Sequence, residues 1–191
     1  MRLSLNQTGL HALDALRGID ALCLFIAQDE RPLRGLAGFF DWRLCGSLSN
    51  VLRAEHFVGA LGVPMLFPIA RDLPVRRAFC FGLGERSAFQ PELVLGPLLR
   101  QAMSVLSKAG CRSAALELPG LTDANAERLI EIFLDEGMPA FKGDALVLLS
   151  DEPKDLSRAF QKSGERLRRL QIEIDDKAAH SLVELKKSVS R

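Results

Sequence analysis

The residues best placed for binding chemistry are Gly82, Leu83 and Gly84, which close the run RRAFCFGLG. Phe79, Cys80 and Phe81 leave that run no polar face, so it reads as a central strand covered on both sides. The glycines behind it permit a tight turn at the strand's carboxyl end, where open α/β sheets bind ligands. Backbone N–H groups aimed from such a turn would suit an anion. The pattern falls short of a dinucleotide fingerprint, because Ala88 stands where a third glycine is needed and the regular helix starts later. A tight structural turn is the plainer account of the same residues.

Two other groups carry polar chemistry. Asp41, Trp42 and Arg43 form a polar-aromatic cluster, in which the single tryptophan is expected to pack at the rim of the core. A protein contact through Trp42 and Arg43 is the sharper reading, since both residue types are enriched in interface hot spots. Arg158, Lys162, Arg166 and Arg169 fall on one helical face, opposite Phe160, Leu167 and Leu170. A solvated face explains them simply, and an acidic protein or DNA would use them more specifically. Glu165, Glu173, Asp175 and Asp176 dilute that basic face.

Catalytic and metal chemistry find little support. The histidines at 11, 56 and 180 pair with no cysteine or acid at ligand spacing, so no metal site is expected. Cys23, Cys45, Cys80 and Cys111 are far apart with no CxxC pair, which favours free and mostly buried thiols over zinc or disulfides. No GxSxG elbow accompanies the serines. No catalytic residue and no cofactor is assigned.

The chain has 191 residues, and its 25 Lys+Arg nearly cancel its 24 Asp+Glu to leave a formal charge of +1. No global field therefore draws it to nucleic acid or an anionic membrane. With no tyrosine and one tryptophan it also lacks aromatic platforms for bases, which disfavours DNA further. MRLSLNQTG has no apolar core of signal-peptide length and no later run matches a membrane span, so a cytoplasmic location without membrane contact is expected.

The elements that would position these residues follow in order. Leu3 and Leu5 mark a first strand near an edge, Thr8 caps a helix carrying Leu10, Leu13 and Leu16, and Ala21 to Ala27 is a second buried strand. A strand, a helix and a parallel strand in that order suggest a right-handed crossover. Helix is predicted near Phe40, with Gly46 marking a weak point or a close backbone contact. Pro64 starts a third strand at an edge or bulge. The helix before Gly110 is expected to begin at Pro97, a residue best tolerated in a first turn. Strands at 112–118 and 144–150 flank a helix capped by Thr122 or Asp123. Beyond Asp151 no further strand is visible. Leu156, Phe160, Leu167, Leu170, Ile174 and Ala178 give one long amphipathic helix or two, and Leu182, Leu185 and Val189 continue the stripe.

The run RPLRGLAGFFDWRLCGSLSNVLR, with Asp41 followed by Gly46 and Leu48, then FVGALG and FCFGLG, resembles the N-terminal domain of the M17 leucine aminopeptidase family. The likeness extends in order and spacing over roughly the first 150 residues. It implies a macro-domain-like α/β fold, with a mixed, mostly parallel sheet between helical layers. The family's two metal ions belong to a separate C-terminal domain with motifs such as NTDAEGRL, and nothing like it occurs here, so the resemblance implies no hydrolytic site. Macro domains that bind ADP-ribose usually carry an asparagine-rich loop after the second strand. This chain has Ala27-Gln28-Asp29-Glu30, whose two acids would repel a diphosphate. Some members of the aminopeptidase family bind DNA, which keeps that partner as an alternative.

The sequence thus predicts a three-layer domain over 1–152 and a C-terminal helical extension over 153–191. The leading expectation is a non-catalytic relative of the aminopeptidase N-terminal domain that binds a protein, or a second copy of itself, through the extension and the Trp42 region. The alternatives are a nucleotide or other anionic metabolite held at Gly82–Gly84, the non-catalytic half of a split aminopeptidase, and a DNA-binding accessory protein.

Overall fold

The computed structural model describes residues 1–70 and 73–175. Its strands are β1 (Arg2–Gln7), β2 (Ala21–Ile26), β3 (Pro64–Pro68), β4 (Arg77–Gly82), β5 (Ser113–Glu117), β6 (Ala145–Ser150) and β7 (Glu173–Asp175). They form one sheet in the order β3-β4-β2-β5-β6-β1-β7, parallel throughout except that β3 runs antiparallel to β4. The helices are α1 (Leu10–Asp14), α2 (Gly35–Arg43), α3 (Ser47–Arg53), α4 (Pro91–Lys108), α5 (Ala126–Ile132), α6 (Pro153–Lys162) and α7 (Gly164–Arg169).

Strand alternation divides the core in two. Cys23, Phe79, Phe81, Ala114, Leu116 and Leu148 face α4, α5 and α6. Leu22, Leu24, Ile26, Cys80, Ala115 and Leu149 face α1, α2 and α3. Both faces are apolar because both are covered, which is why these strands read as continuous hydrophobic runs. This is the three-layer sandwich that the sequence predicts.

Several local expectations change. β4 is covered on both faces but lies next to the edge strand β3 rather than at the centre of the sheet. β1 and β2 are parallel yet separated by β5 and β6, so the first crossover spans two strands. The first helix starts after Gly9 with no side-chain cap, and the Thr8 hydroxyl is buried without a partner. α2 begins at Gly35, ahead of Phe40, and Gly46 is a left-handed turn residue whose side-chain position is open, so it marks no close contact. α5 starts after Asn125, whose Oδ1 accepts from the Thr122 N–H at 2.8 Å, so Asn125 takes the place foreseen for Thr122 or Asp123. α4 takes Pro91 as its first residue and runs through Pro97. Pro97 is exposed, and so is Leu93 one turn earlier, whose carbonyl loses its helical donor.

The C-terminal segment holds a strand that the charged sequence concealed. After α7 the chain extends and β7 pairs in parallel with β1, with Leu3 opposite Ile174. α6 and α7 bury Leu156, Phe160 and Leu167 in the same core cluster as Leu116 and Phe133. The stripe at Ala178, Leu182, Leu185 and Val189, with Asp176 and His180, lies outside the described residues.

Candidate functional site

The carboxyl ends of β2, β5 and β6 open into a cleft of about 470 Å³. That is the size of a small-molecule site, at the end of a parallel sheet where such sites form. Its apolar walls include Phe25, Leu83, Phe89, Pro91, Leu118 and Leu121.

Glu117, the last residue of β5, lies at the mouth of α2. The Leu36 N–H donates to its Oε2 at 2.7 Å, so this carboxylate occupies the helix N-terminus. Gly35 permits the approach: its φ is +54°, and a Cβ there would sit 2.8 Å from the same oxygen. Burial pushes the Glu117 carboxyl above its ordinary range. The Leu36 N–H pulls it back, and the Asp151 and Glu30 carboxylates push it up again.

More charge stands around the cleft. Glu30, Asp123, Asp151, Glu152 and Asp155 line it with Glu117, against Arg34 and Arg86. Arg86 pairs with Glu30, and its backbone N–H donates to Asp29 Oδ1 at 2.8 Å. The two acids expected to repel a diphosphate are therefore both engaged by one arginine. Asp155 pairs with Arg158 at 2.8 Å.

The glycine turn meets this cleft at one residue, Leu83. The N–H groups of Gly82, Leu83 and Gly84 donate to the carbonyls of Val63, Ile26 and Gly59 at 3.0, 2.9 and 2.9 Å. A Cβ on Gly82 would lie 1.9 Å from the Ala60 carbonyl oxygen, so close backbone approach explains that glycine.

The Asp41–Arg43 cluster is divided three ways. Asp41 accepts from the Ser49 N–H at 2.9 Å and from its hydroxyl at 2.5 Å, tying α2 to α3. Arg43 pairs with Asp14 at 2.9 Å. Trp42 is 67% exposed and points away from the core instead of packing at its rim. The basic face of α6 and α7 turns toward acids of the same chain. Lys162 pairs with Glu127, Arg166 with Glu131 and Asp135 at 3.1 Å, and Arg169 with Asp135 at 3.1 Å.

Cys23, Cys80 and Cys111 are buried free thiols and Cys45 is exposed. Burial pushes Cys80 up to about 12 and holds Cys23 well above the usual thiol range, so neither is a ready nucleophile. His11 and His56 are exposed and line no part of the cleft. No helix among the described residues is long and apolar enough to cross a membrane.

Sequence reasoning missed Glu117, Arg34, Arg86 and Asp151. One signal was available for Glu117, the lone acid at the carboxyl end of an otherwise apolar strand.

A seven-stranded, mostly parallel sheet between helical layers defines a macrodomain-like α/β sandwich. Its particular counterparts include the N-terminal region of leucine aminopeptidase and stand-alone macrodomains. The chain is 26% identical over 91 residues to the probable cytosol aminopeptidase of Trichormus variabilis, a match covering 48% of this chain and 18% of that one. A mutant tomato leucine aminopeptidase aligns with a TM-score of 0.59 at 16% identity, over 84% of this chain and 35% of the enzyme. A mutant macrodomain of Oceanobacillus iheyensis gives 0.62 at 13% identity, over 86% and 93% of the two chains. Another mutant of that macrodomain, with ADPR, gives 0.59 at 12%, over 87% and 94%. No protein-family profile matches. The aminopeptidase likenesses thus span well under two thirds of those enzymes.

Proposed function

We propose that this chain is a non-catalytic binding module on the aminopeptidase N-terminal fold, and that its cleft takes a small-molecule ligand. The observation that carries this is the cleft itself, about 470 Å³ at the carboxyl ends of β2, β5 and β6 with apolar walls and a few fixed polar groups. Binding rather than hydrolysis is proposed because the hydroxyls that line it, Ser150 and Thr122, have no histidine beside them among the described lining residues. Ser150 is buried, and its Oγ accepts from the Glu152 N–H at 3.1 Å.

Amide chemical shifts of the full chain, recorded against a library of small fragments of mixed charge, test this reading. Binders are expected to move Leu36, Glu117 and Asp151 together. Fragments that bind only elsewhere would overturn it, and chelator-sensitive release of amino acids from peptides by the pure chain would overturn the non-catalytic part.

A second reading is a protein contact through the outer face of α2, in a regulatory or scaffolding role. The 67% exposure of Trp42, beside the 36% exposure of Phe39, favours it. The basic residues of α6 and α7 lend it less, because each already meets an acid of this chain.

A further inference from the structure

Taking the cleft as the ligand site proposed above, we infer that it selects an organic cation, an amine or guanidinium on an aliphatic or aromatic body, over a phosphate-bearing ligand. The first support is charge. Six carboxylates line the cleft against two guanidiniums; with Glu30 and Arg86 paired to each other and Asp155 paired with Arg158, Glu117, Asp123, Asp151 and Glu152 stand against Arg34. Cation affinity in a partly desolvated cleft rises with such a field.

The second support is that several of the seats an anion would use are filled. Phosphates bind through free backbone N–H groups at helix N-termini and glycine turns. Here the α2 N-terminus holds the Glu117 carboxylate, with the Leu36 N–H donating to it at 2.7 Å. The N–H groups of the glycine turn donate to the chain's own carbonyls. At the far wall the Glu152 N–H donates to Ser150 Oγ at 3.1 Å, and the Thr122 N–H to Asn125 Oδ1 at 2.8 Å.

The third support is the lining chemistry. Phe25 and Phe89 offer aromatic rings, which attract cations across their faces, and the remaining apolar wall suits a carbon body. The carboxylates are dispersed: among the described residues no three His, Cys, Asp or Glu converge to hold a metal ion. A charge spread on an organic ligand fits that field better than a bare ion does.

The test titrates the full chain separately with spermidine, phenethylamine and ADP-ribose while following amide shifts at low and high salt. At least one amine is expected to move Leu36, Glu117 and Asp151 and to bind about tenfold or more tighter than ADP-ribose. Glu117→Gln, which keeps an acceptor for Leu36, should weaken that amine about tenfold. The exposed change Asp151→Asn should act in the same direction without threatening the fold, and added salt should weaken binding. If ADP-ribose moves the same amides with the greater affinity, or if amine binding ignores both substitutions, the cation preference fails and the cleft stands as a site. If none of the three compounds moves the cleft amides, the cation preference falls, and the fragment library decides whether the cleft is a site.

Discussion

Glu117 and Asp20 are two carboxylates whose surroundings move them in opposite directions, and the difference has a measurable sign. Burial raises Glu117, with Asp151 and Glu30 adding to it and only the Leu36 N–H opposing. Burial acts on Asp20 as well, but donors win there: the Arg112 and Ser113 N–H groups reach its Oδ2 at 2.7 and 2.9 Å, and its carboxyl is lowered. A carboxyl raised by folding contributes stability that is present below its unfolded value of 4.5 and is lost as pH rises through its higher folded value. Asp20 contributes in the reverse sense, with stability present above 3.8 and lost as pH falls through its lower folded value. Urea titrations of the native chain and of Glu117→Gln should therefore differ with pH. Relative to the variant, the native chain should lose stability as pH climbs from below 4.5 toward neutrality. A difference that stays flat or grows across that window would show that Glu117 is not held up by its burial.

At the scale of elements, α6 shows how much the sheet domain leans on its C-terminal segment. Phe160 is fully buried and meets Phe133 edge-on, with ring centroids 6.4 Å apart at 83°. Phe160→Ala should cost about 3–5 kcal/mol in denaturant melts. A cost below about 1 kcal/mol, the size of a surface change, would mean that the segment is an independent appendage. The layers, the two-faced strands and the edge placement of β3 were legible in the sequence, because apolar periodicity and Pro64 report burial and edges directly. β7 was not, since three residues, two of them acids flanking Ile174, are too few to show a period, and β1 gives the strand its partner. Pro97 misled for a related reason. Whether a proline is tolerated inside a helix depends on where it falls, and here it lies on the exposed face of α4, one turn after the exposed Leu93. The cleft was legible only as a place, the carboxyl ends of the strands. Its charge comes from residues 30, 117, 123 and 151–155, which no local pattern joins.

For the molecule as a whole, charge and apolar exposure are separated. Six acids line the cleft at the carboxyl ends of the strands, while Leu61, Val63 and Leu66 surround the β3 edge and Trp42 stands out from α2. If the outer face of α2 is a contact surface, sedimentation of the full chain should show concentration-dependent association that Trp42→Ser abolishes without lowering the melting temperature. Association unchanged by that substitution would dismiss the surface. The same placement governs how unfolding can be watched. The chain has no tyrosine, and its one indole already meets solvent in the native state. Its emission will therefore change little on denaturation, so a fluorescence melt can look featureless while the core comes apart, and circular dichroism is the more faithful witness.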